Sequence, residues 1–206
     1  MKHIRVHAEN PQLRLIHQAV EVIRKGGVVI YPTDSCYALG CEIGNKSALD
    51  RIRRIRALDD NHNFTLICRD LSELASYARV DNAVFRRLKS LTPSPYTFIL
   101  EASREVPRRL QHPKRKSIGL RVPKHPIVQA LLKEMDAPMM SVTLTLPGAD
   151  EPLADPEEMR EQLGKQVDLL IDGGWGGYEP STVIDLTGEV PVVVRRGMGD
   201  PAVVEG

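Results

Sequence analysis

The chain has 206 residues, enough for one domain with a sizeable core. Its 42% hydrophobic and 27% charged residues are those of an ordinary globular protein. No window is apolar for long enough to cross a membrane, and the three cysteines (Cys36, Cys41, Cys68) exclude a disulfide framework.

The first residues, MKHIRVHAENPQLR, lack the apolar segment of a signal peptide, so a cytoplasmic protein without a membrane partner is expected. Asn10-Pro11 opens a helix whose apolar positions, Leu15, Ile16, Ala19, Val20, Val22 and Ile23, recur at helical spacing through Lys25. Gly26-Gly27 ends it, and residues 28–31 form a short β-branched run suited to a buried strand. Pro32 stops that strand because it has no N–H to donate, and Thr33-Asp34-Ser35 follows. This polar stretch is either a plain turn or the rim of a ligand site at a strand end.

Asn45 can cap a helix over 46–56, and residues 59–63 form a polar loop. Strands are predicted over 64–68, 96–101, 117–122, 139–144 and 169–172, and helices over 71–77, 82–91, 126–135 and 156–163. The stretch 104–116 is expected to be a basic loop with a helical turn at 106–110. A glycine-rich turn occupies 173–177, and strands over 182–186 and 190–195 close the chain as a hairpin. The alternation of strands and helices argues for one α/β domain over 1–206 with a mixed sheet.

The net charge of +1 hides segregation. Arg51, Arg53, Arg54 and Arg56 crowd one stretch, and Arg104, Arg108, Arg109, Lys114, Arg115 and Lys116 another. From Asp150 to Asp172 the acidic residues face only Arg160 and Lys165. The basic stretches are either solvated runs or contacts for polyanions such as nucleotides and RNA. The six histidines form no ligand cluster with the cysteines, so no structural metal is expected. Gly44-Asn45-Lys46-Ser47 fails as a phosphate loop because Asn45 separates the glycine from the lysine.

Five separated segments are more informative together: Pro32 to Ser35; Arg54-Ile55-Arg56 with Asn63 to Leu66; Ser117 to Pro123 with His125-Pro126; Ser141 to Thr145; and Pro180 to Asp185 with Arg195 and Gly197. Arginines and hydroxyls recur in or beside apolar strands. A buried arginine is costly unless an anion or carboxylate faces it. Each taken alone could belong to an internal ion pair. Arg56, Arg121 and Arg195 together point to a shared anion pocket.

This set, in this order from about Asn10 to Arg195, resembles the YrdC/YciO family of threonylcarbamoyl-adenylate synthases and their paralogues, and within it the YciO-like branch. The resemblance implies a twisted mixed sheet with flanking helices and a large basic cavity. It implies a nucleotidyltransferase-type reaction joining threonine, bicarbonate and ATP, with Mg2+, into threonylcarbamoyl-AMP for tRNA modification. It places Ser35, Cys68, Arg121, Ser141 and Ser181 at the threonine side, and Arg56, Asn63, Ser117, Thr143 and Arg195 at the ATP side. Arg54, Arg56, Thr143 and Thr145 occupy the positions of the catalytic motifs. The synthases carry Lys-x-Arg where this chain has Arg54-Ile55-Arg56, and Ser-x-Asn where it has Thr143-Leu144-Thr145. Arginine replaces a compact ammonium by a wide fork, and Thr145 lacks an amide. A pocket for the same ligands is therefore favoured over an efficient synthase. Two other activities stay open: removal of the modification, and binding of tRNA or double-stranded RNA without chemistry. For the latter, Arg108, Arg109, Lys114, Arg115 and Lys116 are the candidate contacts.

Overall fold

The computed structural model describes residues 1–59 and 61–205. Asp60, in the predicted polar loop 59–63, lies outside the described residues.

In chain order the elements are β1 (Lys2–Arg5), α1 (Leu13–Arg24), β2 (Val29–Tyr31), β3 (Ala38–Glu42), α2 (Lys46–Arg56), β4 (Thr65–Ile67), α3 (Leu71–Tyr77), β5 (Ala78–Arg79), α4 (Asn82–Leu91) and β6 (Tyr96–Ala102). They continue with a single 3-10 turn (Arg108–Leu110), β7 (Ser117–Arg121), α5 (Pro126–Met135), β8 (Met139–Thr143), α6 (Pro156–Leu163), β9 (Leu169–Asp172), β10 (Thr182–Asp185), β11 (Val192–Arg195) and α7 (Ala202–Glu205). Local chemistry sets several starts. Asn45, Asp70, Asp81 and Asp155 each cap a helix by accepting a backbone N–H, and Pro126 and Pro156 stand in the first turns of α5 and α6.

Among the described residues eleven strands form one mixed sheet in the order β1-β9-β2-β3-β8-β4-β7-β6-β10-β11, with β5 paired to β6. Pairs β1/β9, β9/β2, β4/β7 and β6/β10 are parallel, and the other pairings are antiparallel. The predicted closing hairpin is present as β10 and β11. Strands β1, β3 and β5 and helix α7 were not foreseen from the sequence. No helix among the described residues is long and apolar enough to cross a membrane.

The two faces of the sheet differ. One face is apolar across its width: Leu39, Leu66, Phe98, Leu100, Leu120, Met140, Leu170 and Ile184 pack with residues of α2, α3, α4 and α6. On the other face α1 and α5 cover Val29, Tyr31, Ala38, Ile67, Met139, Leu169 and Ile171. Farther along that face the residues are Thr65, Thr97, Gly119, Arg121, Ser141 and Thr143, and they line a cavity. The two-residue period of a strand produces this split, because successive side chains alternate between faces. Filling those positions with Leu or Ile would stabilise the fold by about 1.5–3 kcal/mol each on full burial. The chain forgoes that gain along four strands, which is how a binding surface differs from a core.

Candidate functional site

The cavity has a volume of about 250 Å3. Arg56 reaches it from the end of α2, Arg121 from the end of β7 and Arg195 from the end of β11. Thr33 and Cys36 come from the turn after β2, and Ser181 from the residue before β10. Gly119 forms part of the wall, and a Cβ there would meet the Thr65 hydroxyl at 2.7 Å and the Phe64 carbonyl at 3.0 Å.

The three guanidiniums are held differently. Arg121 is buried and donates through Nη2 to the Asp34 carboxylate, whose second oxygen accepts the Lys124 backbone N–H at 3.0 Å. Arg195 donates twice to the Ser181 carbonyl, from Nε at 3.1 Å and Nη2 at 2.7 Å. Arg56 has no hydrogen bond or ion pair to another described residue, and its Nε is buried without a partner. Arg121 Nε and Asn63 Oδ1 are likewise buried and unmatched. Each such orphan costs about 1–3 kcal/mol unless a ligand meets it. Burial lowers the pKa of Arg56 and Arg195, yet a guanidinium stays charged.

Hydroxyls complete the walls. Thr97 and Ser181 share a hydrogen bond at 2.7 Å, the buried Tyr31 hydroxyl meets Ser141, and Thr33 lies 3.1 Å from the Ser35 hydroxyl. Burial pushes the Tyr31 phenol far above its ordinary range and raises the Cys36 thiol, so both remain protonated. The glycine-rich turn is pinned beside this wall. Tyr37 accepts the Gly173 N–H at 3.0 Å and donates to the Gly174 carbonyl at 2.7 Å.

Of the residues proposed from sequence, Arg56, Asn63, Arg121, Ser141, Thr143, Ser181 and Arg195 line this one cavity. Ser35 is buried beside it, hydrogen-bonded to Thr33. Four others are not on its wall. Arg54 is exposed on the outside of α2, because two residues turn a helix through about 200°. Cys68 follows Ile67, so alternation sends it into the apolar core of the opposite face. Thr145 lies beyond the end of β8, where its N–H donates to the Thr143 carbonyl at 3.0 Å. Ser117 is buried at the start of β7, two residues short of Gly119.

The Arg51 to Arg56 run does not form one basic patch. Arg51 pairs with Asp168, Arg53 stacks 5.0 Å over the Phe64 ring, and Arg56 faces the cavity. Arg108, Arg109, Lys114, Arg115 and Lys116 are exposed. Arg109 donates to the Gly44 carbonyl at 3.2 Å and Arg115 pairs with Asp185 at 3.3 Å, while Arg108 and Lys116 border a separate hollow.

The lining residues that the sequence did not point to include Cys36, Thr97 and His62, while Thr33 and Asp34 belong to the Pro32 to Ser35 segment, in which only Ser35 was given a role. His62 lies beside Arg56, and its pKa is lowered first by burial and then by the arginine. The neutral ring is therefore favoured in the folded state. Below the unfolded-state pKa of about 6.5 the unfolded chain gains a proton that the folded chain resists. Stability contributed by His62 is present above that pH and is lost as pH falls through the folded-state value. His62→Gln is expected to flatten the fall in stability between about pH 7 and 5, read from urea unfolding at each pH. An unchanged slope would show that His62 carries none of it.

Residues 21–197 match the Sua5/YciO/YrdC family model, described as "Telomere recombination". YciO of Escherichia coli (strain K12) is 60% identical over 195 residues, 95% of each chain. Its crystal structure superposes with a TM-score of 0.96 over 99% of this chain and all of that one, at 58% identity. Threonylcarbamoyl-AMP synthase of Vibrio vulnificus (strain YJ016) is 30% identical over 186 residues, 88% of this chain and 98% of the synthase. Sua5 of P. abyssi, in a crystal structure complexed with L-threonine, has a TM-score of 0.86 and 27% identity over 96% of this chain and 58% of that one. With most of its length matched by the family model, the chain belongs to the Sua5/YciO/YrdC family.

Proposed function

We propose that this cavity binds a small amino acid, threonine first among candidates, together with an adenine nucleotide, and that its chemistry is formation or reversal of a threonylcarbamoyl adenylate. The observation that carries the reading is the convergence of Arg56, Arg121 and Arg195 on one hollow, with only Arg121 paired to a carboxylate among the described residues. The synthase relative and the threonine complex of Sua5 support the substrate class.

The chemistry needs no protein nucleophile. Threonine and bicarbonate condense to a carbamate with loss of water. A carbamate oxygen attacks the α-phosphorus of ATP, the bond to the β-phosphate oxygen breaks, and pyrophosphate leaves. The protein's work is to hold two anions in line and stabilise charge developing on phosphate. Arg56 and Arg195 are placed for the phosphates, and Arg121 with the Ser141, Thr143 and Ser181 hydroxyls for the amino acid. Among the described residues no group of His, Cys, Asp and Glu could cage a metal. Magnesium would enter bound to the ATP phosphates, and no step is assigned to the ion. The exposed Arg108 and Lys116 offer phosphate contacts to an RNA whose modified nucleoside is made or unmade here.

The test is incubation of the purified protein with labelled threonine, bicarbonate, ATP and magnesium. The expected result is labelled threonylcarbamoyl-AMP and threonine-dependent exchange between ATP and pyrophosphate, or loss of the modification from modified tRNA. No exchange, no effect on tRNA and no binding of threonine would overturn the reading.

A further inference from the structure

We propose that Asp34 is a positioning residue that decides what Arg121 can bind: it neutralises that guanidinium, so that Arg121 takes the carboxylate of the amino acid while Arg56 and Arg195 take the phosphates. The inference rests on the reading of the cavity as an amino-acid and nucleotide site, and adds to it the residue that sets the division between the arginines.

The geometry is specific. Asp34 and Arg121 are 87 residues apart in sequence and meet as a pair with side chains 11% and 9% exposed. The second carboxylate oxygen accepts the Lys124 N–H at 3.0 Å, so the carboxylate is held from two sides. Asp34 engages Nη2 of Arg121. Nε, a separate donor of the same guanidinium, is buried without a partner on a side chain that lines the cavity. A planar fork offers separate edges to separate acceptors. One donor is therefore taken and another remains for a ligand.

The charge follows the geometry. A buried guanidinium beside its own carboxylate is nearly neutral as a unit. It attracts a triphosphate far less than an unpaired cation does, but it still donates hydrogen bonds. That combination suits the carboxylate of a zwitterionic amino acid. Arg56 and Arg195 have no carboxylate partner among the described residues, and retain full charge for phosphate. Without Asp34 the cavity would hold three uncompensated cations, and phosphate would compete for the amino-acid position.

The experiment compares the wild-type protein with Asp34→Asn and Asp34→Glu by titration calorimetry with threonine, with and without inorganic phosphate, and uses melting curves to verify folding. Asp34→Asn is expected to weaken threonine at least tenfold and to make phosphate a competitor of threonine. In the wild type and in Asp34→Glu, which keeps the charge, phosphate is expected to leave threonine affinity unchanged. Should Asp34→Asn not fold, Arg121→Gln reads the same division: threonine binding is lost while ATP affinity stays within about twofold. A folded Asp34→Asn that matches the wild type in both measurements, or an Arg121→Gln that loses ATP as severely as threonine, overturns the inference alone. A wild-type protein that takes up no threonine overturns the reading of the cavity and this inference with it.

Discussion

Arg56→Ala is expected to weaken ATP or AMP binding by roughly 10- to 100-fold, whereas Arg54→Ala, two residues away, leaves it within about twofold. Arg56 lines the cavity, and no acidic side chain among the described residues competes for it. Hydrogen bonds to a charged group contribute about 1.5–3 kcal/mol, and 1.4 kcal/mol is tenfold in affinity. Arg54 is exposed on the opposite side of α2. Substitutions at such surface positions fall within about 0.5 kcal/mol of neutral. Isothermal titration of both variants decides the matter. Equal losses would mean that the two arginines share the ligand, against the placement of Arg54 outside the cavity.

Gly119→Val is expected to abolish binding of both ligands and to lower the melting temperature by roughly 2–12 °C. A Cβ at Gly119 falls 2.7 Å from the Thr65 hydroxyl, on the neighbouring strand, and 3.0 Å from the carbonyl of Phe64 just before it. The second contact is backbone and cannot swing away. Overpacking of this kind costs about 1–3 kcal/mol. Each kcal/mol moves the midpoint by about 2–4 °C in a chain of this size. The branched methyls would also take up room in the cavity that Gly119 lines. Differential scanning calorimetry reads the first effect and ligand titration the second. A variant that melts as the wild type and binds normally would show that β7 is not the wall of the site.

Much of the architecture was legible because local signals agreed. The capping Asn45 and Asp155, the prolines opening α5 and α6, and the β-branched runs of β2 and β11 each named their element. The elements that escaped carry weak signals. β1 reads KHIR and buries only Ile4, so it shows no alternation. β3 reads ALGCE, has no β-branched residue and includes Gly40, which is there because Tyr31 and Met139 press against it. β5 is two residues long.

The site divides the same way. Hydroxyls and arginines at strand ends were visible in the sequence, since a charged side chain beside an apolar strand needs an anion or a carboxylate. Its completeness was not. Arg54 and Arg56 look alike as text, and only the turn of α2 sends one to solvent and the other to the cavity. Cys68 was placed by motif position, but the pleat carries it to the far face. Asp34 reads as a residue of a turn or of a ligand rim, and only the sheet brings it to Arg121.

The order of apolar runs, caps and breakers was thus enough to name the elements of an α/β chain and the residue types of an anion site, because these depend on neighbours a few positions apart. Which arginines face one another, which one is neutralised and which strand face is left open were decided only by strand pairing across tens of residues. Alternation and register are properties of the assembled sheet, and no local stretch of the chain contains them.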